Sequence, residues 1–341
     1  MTGRPDGRPV AFGIPCNSAP GRVGFWDDMS LKESIKKLAA DVGYVACGFT
    51  GVEPFDHYRD ALRTLEQRFP ESAALYDGME RRADPRTTIP WAGSIVVALR
   101  RYGRYKVPAG LARHIGLNYL CDRRNGACPD TVMPKRMKEG LKALGLRVKT
   151  GGVPARAAAV RAGVAGLARN GFVYREGCGT WVNVEAWVID AVVEPDRPAP
   201  AAPCPEGCRA CEEACRTGAL VGPGRVRMER CVAYLTYGAP WPVAPELWER
   251  MGPWIYGCDD CQNACPLNKG CWDAKEPAPW LEAVADRLTP EALVSMDDAT
   301  YRDVVHPLFW YIDENDLARW HANAGRALGD VSCASRMVSG D

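Results

Sequence analysis

The chain has 341 residues, of which 47% are hydrophobic and 25% are charged, with a net charge of +1. These values are ordinary for a globular protein that can bury one or two cores, so the chain does not need the disulfides of a small stapled scaffold. The longest apolar run, at 95–99, is far too short to span a bilayer, and the N-terminal residues lack a secretory-signal pattern, so we expect a cytoplasmic protein.

Helical and extended patterns alternate through the N-terminal part of the chain. Glycine, proline and polar residues dominate 1–28, which predicts an extended arm, and apolar residues then recur at helical spacing from Leu31 to a helix stop at Gly43. Helices alternating with strands predict an α/β or α+β sandwich over about residues 30–195. The further patterns predict a strand at 44–52, helical structure at 54–80, a buried strand at 94–99, a helix at 135–144, a strand from 146 to 149, a helix at 156–169 and, after 171–174, a strand at 181–193.

A proline-rich linker follows, with five prolines between Pro195 and Pro205. Beyond it lie a cysteine-rich segment and a tail with helical periodicity, clearest in LARWHANAGRAL. We therefore predict an arm at 1–28, a first domain at 29–197, a cysteine-rich domain at 198–275 and a C-terminal helical segment at 276–341.

Positive charge is concentrated between residues 100 and 175, where 17 lysines and arginines face three acidic residues. The net charge of this stretch is +14, and that of the remaining chain is −13. Such a stretch either binds a polyanion or forms a solvated, ion-paired face. The positive residues are spaced rather than run together, which favours the second interpretation.

The chain contains 15 cysteines, which is unusual for a protein without a secretory signal. A scattered cysteine is usually a small buried hydrophobe, and we interpret seven of them in this way: Cys16, Cys47, Cys121, Cys128, Cys178, Cys271 and Cys333. The other eight fall within 62 residues and need a common explanation.

The eight clustered cysteines follow the spacing of a two-cluster ferredoxin, C-x2-C-x2-C-x3-C-P, in which the fourth cysteine ligates the other cluster. They stand as Cys204-x3-Cys208-x2-Cys211-x3-Cys215, then Cys231, then Cys258-x2-Cys261-x3-Cys265-Pro266. One residue is inserted before Cys208, and Arg216 replaces the first expected proline. Zinc sites also use paired cysteines, and two of them would need eight ligands. The x3-C-P ending and the shared fourth cysteine favour two [4Fe–4S] clusters.

The crossover rule assigns the eight cysteines to two clusters. We expect one cluster on Cys204, Cys208, Cys211 and Cys265 and the other on Cys215, Cys231, Cys258 and Cys261.

The cysteine segments and their surroundings resemble the epoxyqueuosine reductases and, more distantly, the reductive dehalogenases. RCVAYLTYG at 230–238 is similar to the family segment with the isolated cysteine, and IYGCDDCQNACPLN at 255–268 is similar to its second motif. Outside the cysteines, residues 82–99 and 159–182 and the WHANAGRALGD segment also resemble the family.

This resemblance implies a nitroreductase-like, cobalamin-binding sandwich joined to a ferredoxin-like two-cluster domain and C-terminal helices. It also implies base-off cobalamin as the reaction centre, with two [4Fe–4S] clusters delivering electrons to it. No Asp-x-His-x-x-Gly motif occurs, so we expect no histidine ligand and interpret His57, His114, His306 and His321 as structural. The cobalamin-contact candidates are Arg156, Asn170, Gly177, Gly179, Thr180 and Trp181.

Two departures from the family concern the substrate. The family's aspartate, a proposed proton donor three residues before a proline, is replaced by Gly151, three residues before Pro154. A second active-site segment leaves Asn118 and Tyr119 for the family's Asp-Tyr. Tyr119 is our candidate catalytic proton donor, with a packed core tyrosine as the alternative. The missing acid suggests the same electron chain serving a different substrate.

The resemblance thus implies an oxidoreductase whose substrate is a small molecule or a transfer RNA. We expect an electron donor such as a ferredoxin or flavodoxin, and no membrane partner. Two alternatives stay open. One is a cytoplasmic reductive dehalogenase, and the other is a ferredoxin-like electron carrier, or reductive activator of another protein, without a corrinoid.

Overall fold

A computed structural model describes residues 29–121, 128–199, 204–309 and 311–329. The predicted arm at 1–28 lies outside these residues, as do Cys16 and Cys333. Within the described ranges, none of the helices has the length and apolarity that crossing a bilayer requires.

A four-stranded antiparallel sheet organises the N-terminal part. Its first and second strands pair Gly48 with Val97, and its second strand pairs with the sixth strand of the chain through Val97 and Ala186. The order across the sheet is β1-β2-β6-β3, and β4 and β5 form a separate two-stranded pair. The strands are β1 (Ala46–Thr50), β2 (Ser94–Arg101), β3 (Val148–Thr150), β4 (Gly166–Leu167), β5 (Val173–Tyr174) and β6 (Val182–Ile189).

Sixteen α-helices occur in the described residues, many of them a single turn long. They are α1 (Leu31–Val42), α2 (Asp56–Arg68), α3 (Ala73–Glu80), α4 (Pro85–Thr88), α5 (Ala109–Ala112), α6 (Leu117–Leu120), α7 (Met133–Ala143), α8 (Ala155–Arg161), α9 (Ala210–Ala214), α10 (Val232–Tyr237), α11 (Pro245–Trp248), α12 (Asp260–Asn263), α13 (Pro279–Glu282), α14 (Pro290–Val294), α15 (Asp298–Thr300) and α16 (Leu317–Ala327).

Helices cover both faces of the sheet. Successive residues of a strand point to opposite faces, so Val97 of β2 joins the core beneath α8, while Val96 joins the core beneath α1 and α7. Ala158 of α8 and Met137 of α7 are among the fully buried residues of these two cores. The predicted mixture of helices and strands, layered around a sheet, is confirmed.

Two predicted helices have the wrong extent. The helix predicted at 156–169 ends at Arg161, because Gly163 has a φ of 69° and the chain then enters β4. The helical stretch at 54–80 is divided at Pro70, since a residue before proline is forced out of the helical region, and Phe69 has φ −138° and ψ 71°.

The C-terminal segment shares a core with the cysteine-rich segment. Tyr256 stacks on Trp320 of α16 with ring centroids 5.3 Å apart, and Phe309 packs against both rings. Tyr102 and Ile115 from the N-terminal part belong to the same buried cluster. One continuous core therefore holds the cysteine motifs against the sheet-bearing part of the chain.

Part of the positive excess at 100–175 is internal. Asp130 is 2% exposed and accepts hydrogen bonds from Arg100 at 2.8 Å, Arg104 at 2.6 Å and the Tyr105 hydroxyl at 3.0 Å. Arg100 is itself 1% exposed and also donates to the Cys121 carbonyl oxygen. The paired interpretation of the basic stretch therefore holds for these two arginines.

Candidate cluster sites and an adjoining cavity

Each C-x2-C-x3-C motif wraps around one short helix. In the first motif α9 carries Cys211, and Cys215 ends it; in the second, α12 carries Cys261, with Cys258 just before its start. The two helices pack directly against each other. This contact brings cysteines that are distant in sequence into two groups.

The two groups line two separate cavities, and the division follows the grouping expected from the spacing. The first cavity is lined by Cys204, Cys208, Cys211 and Cys265. The second cavity is lined by Cys215, Cys231, Cys258 and Cys261. Cys265 thus lies with the first motif and Cys215 with the second, as a crossover of fourth ligands requires.

Backbone amides point at several of these sulfur atoms. The Arg169 N–H donates to Cys204 Sγ at 3.3 Å and the Ala219 N–H to Cys215 Sγ at 3.2 Å. Burial raises the pKa of the Cys258 and Cys261 thiols well above the ordinary value, because a lone thiolate is poorly solvated there. Four thiolates in such a place need the positive charge of bound metal, and the surrounding N–H donors suit a cluster's sulfurs.

The second cavity extends well beyond the cysteines. Its volume is about 200 Å³, and its further lining includes Tyr119, Arg156, Asn170, Phe172 and Tyr237. The Arg156 side chain lines this cavity and is exposed to solvent. Desolvation by the surrounding protein lowers the pKa of its guanidinium. Arg156 also donates to the Gly171 carbonyl oxygen at 2.9 Å.

Tyr119 lines the cavity and packs against other aromatic residues. Its hydroxyl is 2.9 Å from that of Tyr237, and its ring meets Tyr256 edge-on at 5.1 Å. A Cβ at Gly257 would come within 2.4 Å of the Tyr119 ring, so this place requires glycine. Burial raises the pKa of Tyr119 well above 10, which keeps the hydroxyl protonated at neutral pH. Tyr119 therefore packs against Tyr256 and also lines the cavity.

The structure places the predicted contact residues in two different locations. Arg156 and Asn170 line the cavity beside the second cysteine group. Thr180 is instead fully buried, where its N–H donates to Asn268 Oδ1 at 2.7 Å and its hydroxyl accepts from Gln262 at 2.9 Å. The remaining candidates lie in the same turn, which fastens the sheet to the cysteine-rich segment: Gly177, Gly179 and Trp181.

Sequence reasoning missed Tyr237, Phe172 and Gln262, which also line the cavity. Tyr237 lies six residues after Cys231, at the end of the six-residue helix α10 that begins directly after that cysteine. The RCVAYLTYG segment therefore carried a signal for Tyr237, whereas nothing local marked Phe172 or Gln262.

No acidic residue occurs in Val148–Pro154, the segment that holds Gly151. Gly151 follows β3 with a φ of 68°, and a Cβ there would meet no atom within 4 Å. The carboxylates that line the cavity are those of Asp259 and Asp260. Asp259 accepts the Leu117 N–H at 2.6 Å and Asp260 pairs with Arg216 at 2.8 Å, so both already have partners.

The four histidines do not line this cavity. His114 Nδ1 lies 2.8 Å from the Pro253 carbonyl oxygen, and His321 Nε2 lies 2.9 Å from that of Met296. The structural interpretation of His114 and His321 agrees with these backbone contacts.

Comparisons with known proteins agree with the arrangement of the cysteines. A 4Fe-4S double cluster binding domain matches residues 204–268. The chain is 32% identical over 250 residues to an epoxyqueuosine reductase of Bacillus subtilis, an alignment that covers 70% of this chain and 64% of that relative, just under two thirds of its length.

Two solved structures are similar over most of the chain. One is an epoxyqueuosine reductase with an epoxyqueuosine-modified tRNA-Tyr stem loop; it is 25% identical, has a TM-score of 0.67 and is matched over 89% of this chain and 82% of that chain. The other is a Bacillus subtilis epoxyqueuosine reductase described with an aspartate catalytic loop swung out of the active site; it is 25% identical, has a TM-score of 0.67 and is matched over 90% and 84%.

Proposed function

We propose that this chain is a cobalamin-dependent reductase. It is a homologue of the epoxyqueuosine reductases, and a double 4Fe-4S cluster binding domain matches its cysteine-rich segment. In this proposal electrons pass through two [4Fe–4S] clusters toward base-off cobalamin in a nitroreductase-like domain. The supporting observation is the joint lining of one cavity by four cysteines and by Tyr119, Arg156 and Asn170. An electron-transfer group and a reaction chamber are thereby neighbours.

The two cysteine groups hold two clusters at different distances from the cavity in this proposal. Cys204, Cys208, Cys211 and Cys265 hold the cluster farther from the cavity, and Cys215, Cys231, Cys258 and Cys261 hold the cluster that borders it. The thirteen described cysteines form no disulfide with one another, as expected where the compartment is reducing. We propose that the activity is cytoplasmic, because clusters held by cysteine thiolates suit a reducing compartment.

The cavity residues suit a corrinoid in their chemistry. Cobalamin, when bound, supplies a strongly reducing cobalt centre, and the protein supplies position and surroundings. The Arg156 guanidinium and the Asn170 amide provide donors and an acceptor for its peripheral amides, and the Phe172 ring offers an apolar surface. No histidine lines the cavity, so no imidazole from the described residues is available as an axial ligand.

We expect the purified protein to bind cobalamin with its lower base displaced. Titration under anaerobic conditions should give one site, and the Co(II) spectrum should lack nitrogen hyperfine splitting from an axial ligand. Arg156→Ala should weaken binding by about tenfold or more, as loss of a charge-assisted hydrogen bond of 1.5–3 kcal/mol predicts. Lys142→Ala, on the exposed surface of α7, is the matched control.

The outcome of this titration separates two classes of protein. An absence of cobalamin binding, with both clusters intact, would contradict the reductase and favour the electron carrier. Nitrogen splitting would contradict base-off binding while leaving the corrinoid enzyme in place.

The absence of the family's aspartate, whose place Gly151 takes, bears on the identity of the substrate. A placed general acid contributes about 10²–10⁴-fold to a reaction that leaves charge on a departing atom, and Val148–Pro154 carries none. We therefore propose a substrate other than epoxyqueuosine, reduced at a carbon–heteroatom bond with Tyr119 as proton donor. A reductive dehalogenase is the second candidate, because the neutral Tyr119 hydroxyl can protonate a carbon that loses halide.

We expect the wild-type protein to reduce the epoxyqueuosine tRNA stem loop at least about 100-fold more slowly than the Bacillus subtilis relative. Reduced product would be measured by mass spectrometry with the same chemical reductant for both enzymes. Binding of that RNA through the basic stretch should weaken steeply with salt, since phosphate contacts release counterions. A turnover equal to that of the relative would show that the aspartate is dispensable and would overturn the substrate proposal.

A further inference from the structure

A surface groove lies beside the first cysteine group. Its volume is about 500 Å³, and three arginines line it together with one acidic residue, Glu212. These are Arg68 at the end of α2, Arg169 after β4, and Arg209 immediately before α9. The groove thus joins positive charge from the sheet-bearing part and from the cysteine-rich segment.

The groove adjoins the first cysteine cavity. Arg169 lines both, and its N–H donates to Cys204 Sγ at 3.3 Å. Gly207 and Arg209 of the groove flank Cys208 in the sequence, and Cys204 and Cys208 both keep partial exposure. A molecule seated in the groove therefore lies against the loop that holds this cysteine group.

The charge of the groove is not neutralised by its own residues. Glu212 is shared between Arg169 at 2.7 Å and Arg209 at 2.9 Å. Arg68 pairs with no carboxylate among the described residues; its guanidinium lies over the Phe69 ring at 5.1 Å. Three positive charges against one negative charge leave the lining with a net charge of +2. Such a surface attracts an acidic partner and speeds its association.

We propose that this groove is the docking surface for an acidic, iron–sulfur electron-donor protein of the ferredoxin type. The inference rests on the proposed function, because it gives the first cluster the role of electron entry. One electron leaves the reduced [2Fe–2S] centre of the donor, which is oxidised, and the first [4Fe–4S] cluster goes from its 2+ to its 1+ state. The second cluster, which borders the cavity, takes the electron next.

The test uses the full chain with reconstituted clusters and a reduced, acidic plant-type [2Fe–2S] ferredoxin. Freeze-quenched samples give the rate of cluster reduction by electron paramagnetic resonance. The Arg68→Glu/Arg209→Glu variant should slow this rate by about tenfold or more and reduce its dependence on ionic strength, as expected for charges that steer association. Reduction by dithionite, a small reductant, should stay unchanged.

A matched charge reversal controls for net charge. The control variant is Arg136→Glu/Lys142→Glu, at two exposed positions of α7, which packs on the opposite face of the sheet from α8. It should leave the ferredoxin rate within about twofold of wild type. Equal rates in the groove variant and in this control would overturn the docking surface. Titration with oxidised ferredoxin gives the binding constants without electron transfer, and unchanged binding in the groove variant would overturn it too.

Two further outcomes are decisive. If transfer RNA, but not ferredoxin, loses affinity in the groove variant, the groove binds nucleic acid and the inference is wrong. If dithionite reduces the wild-type clusters and ferredoxin neither binds nor reduces them, the donor class is wrong. The proposed reductase stands in both cases, since it fails only when clusters or cobalamin are not bound.

Discussion

Replacing Cys258 with alanine should halve the iron and sulfide of the anaerobically reconstituted protein, from about eight of each per chain to about four. The reason is that Cys258 lines the second cavity together with Cys215, Cys231 and Cys261, while the other four cysteines line a separate cavity. Electron transfer into the cavity should be lost with that cluster. Iron and acid-labile sulfide analysis, with Mössbauer spectra of both proteins, measures the result.

Two controls test the division of the cysteines. Cys208→Ala should remove the other cluster and leave the one beside the cavity, because Cys208 lines only the first cavity. Cys47→Ala should leave both clusters, since Cys47 lies in β1 and lines neither cavity. Stoichiometric zinc without sulfide in the wild type would refute the assignment of iron–sulfur clusters.

Replacing Tyr119 with phenylalanine should lower turnover by at least about tenfold without changing cluster content. The substitution keeps the ring that packs against Tyr256 and removes only the hydroxyl that faces Tyr237 and the cavity. The probes are an ortho-brominated phenol and the epoxyqueuosine stem loop. Single-turnover rates in H2O and D2O measure the effect, because a proton donor contributes a solvent isotope effect that a packing residue does not.

Tyr237→Phe is the matched comparison, since it removes the hydroxyl partner of Tyr119 and leaves Tyr119 itself in place. We expect a smaller loss of turnover and a retained solvent isotope effect. If Tyr119→Phe turns over both probes at the wild-type rate, Tyr119 only packs the cavity wall and the protein supplies no proton from this position.

The sequence carries more information on the grouping of the cysteines than on helix ends, for a physical reason. Cluster ligands follow a short, fixed spacing such as that from Cys258 to Cys265, so local sequence carries most of the information. A helix end depends on weaker preferences, and the alanines after Arg156 outweighed the stop signal of Gly163 in our prediction. Most of the predicted strands of the sheet were recognised because their apolar residues are nearly continuous.

The cavity itself was only partly predictable. Tyr119, Arg156 and Asn170 were proposed through resemblance, and all three line the cavity that Cys261 also lines. The Gly177–Trp181 turn resembled the same family region, but Thr180 is hydrogen-bonded to Asn268 and Gln262. Both residues lie more than eighty positions away in sequence. Contacts at such separations depend on how the whole chain packs, which no local pattern records.

The exchange of fourth cysteines between the two motifs has a consequence for how the protein is made. Cys265 returns to a group that begins at Cys204, so filling the first site closes a loop across almost the whole matched segment. Closing a long loop costs entropy, and metal binding of this kind contributes directly to folding free energy. Neither motif is therefore a separable module, and a cell short of iron should accumulate a chain whose cysteine-rich part is loosened and open to proteolysis.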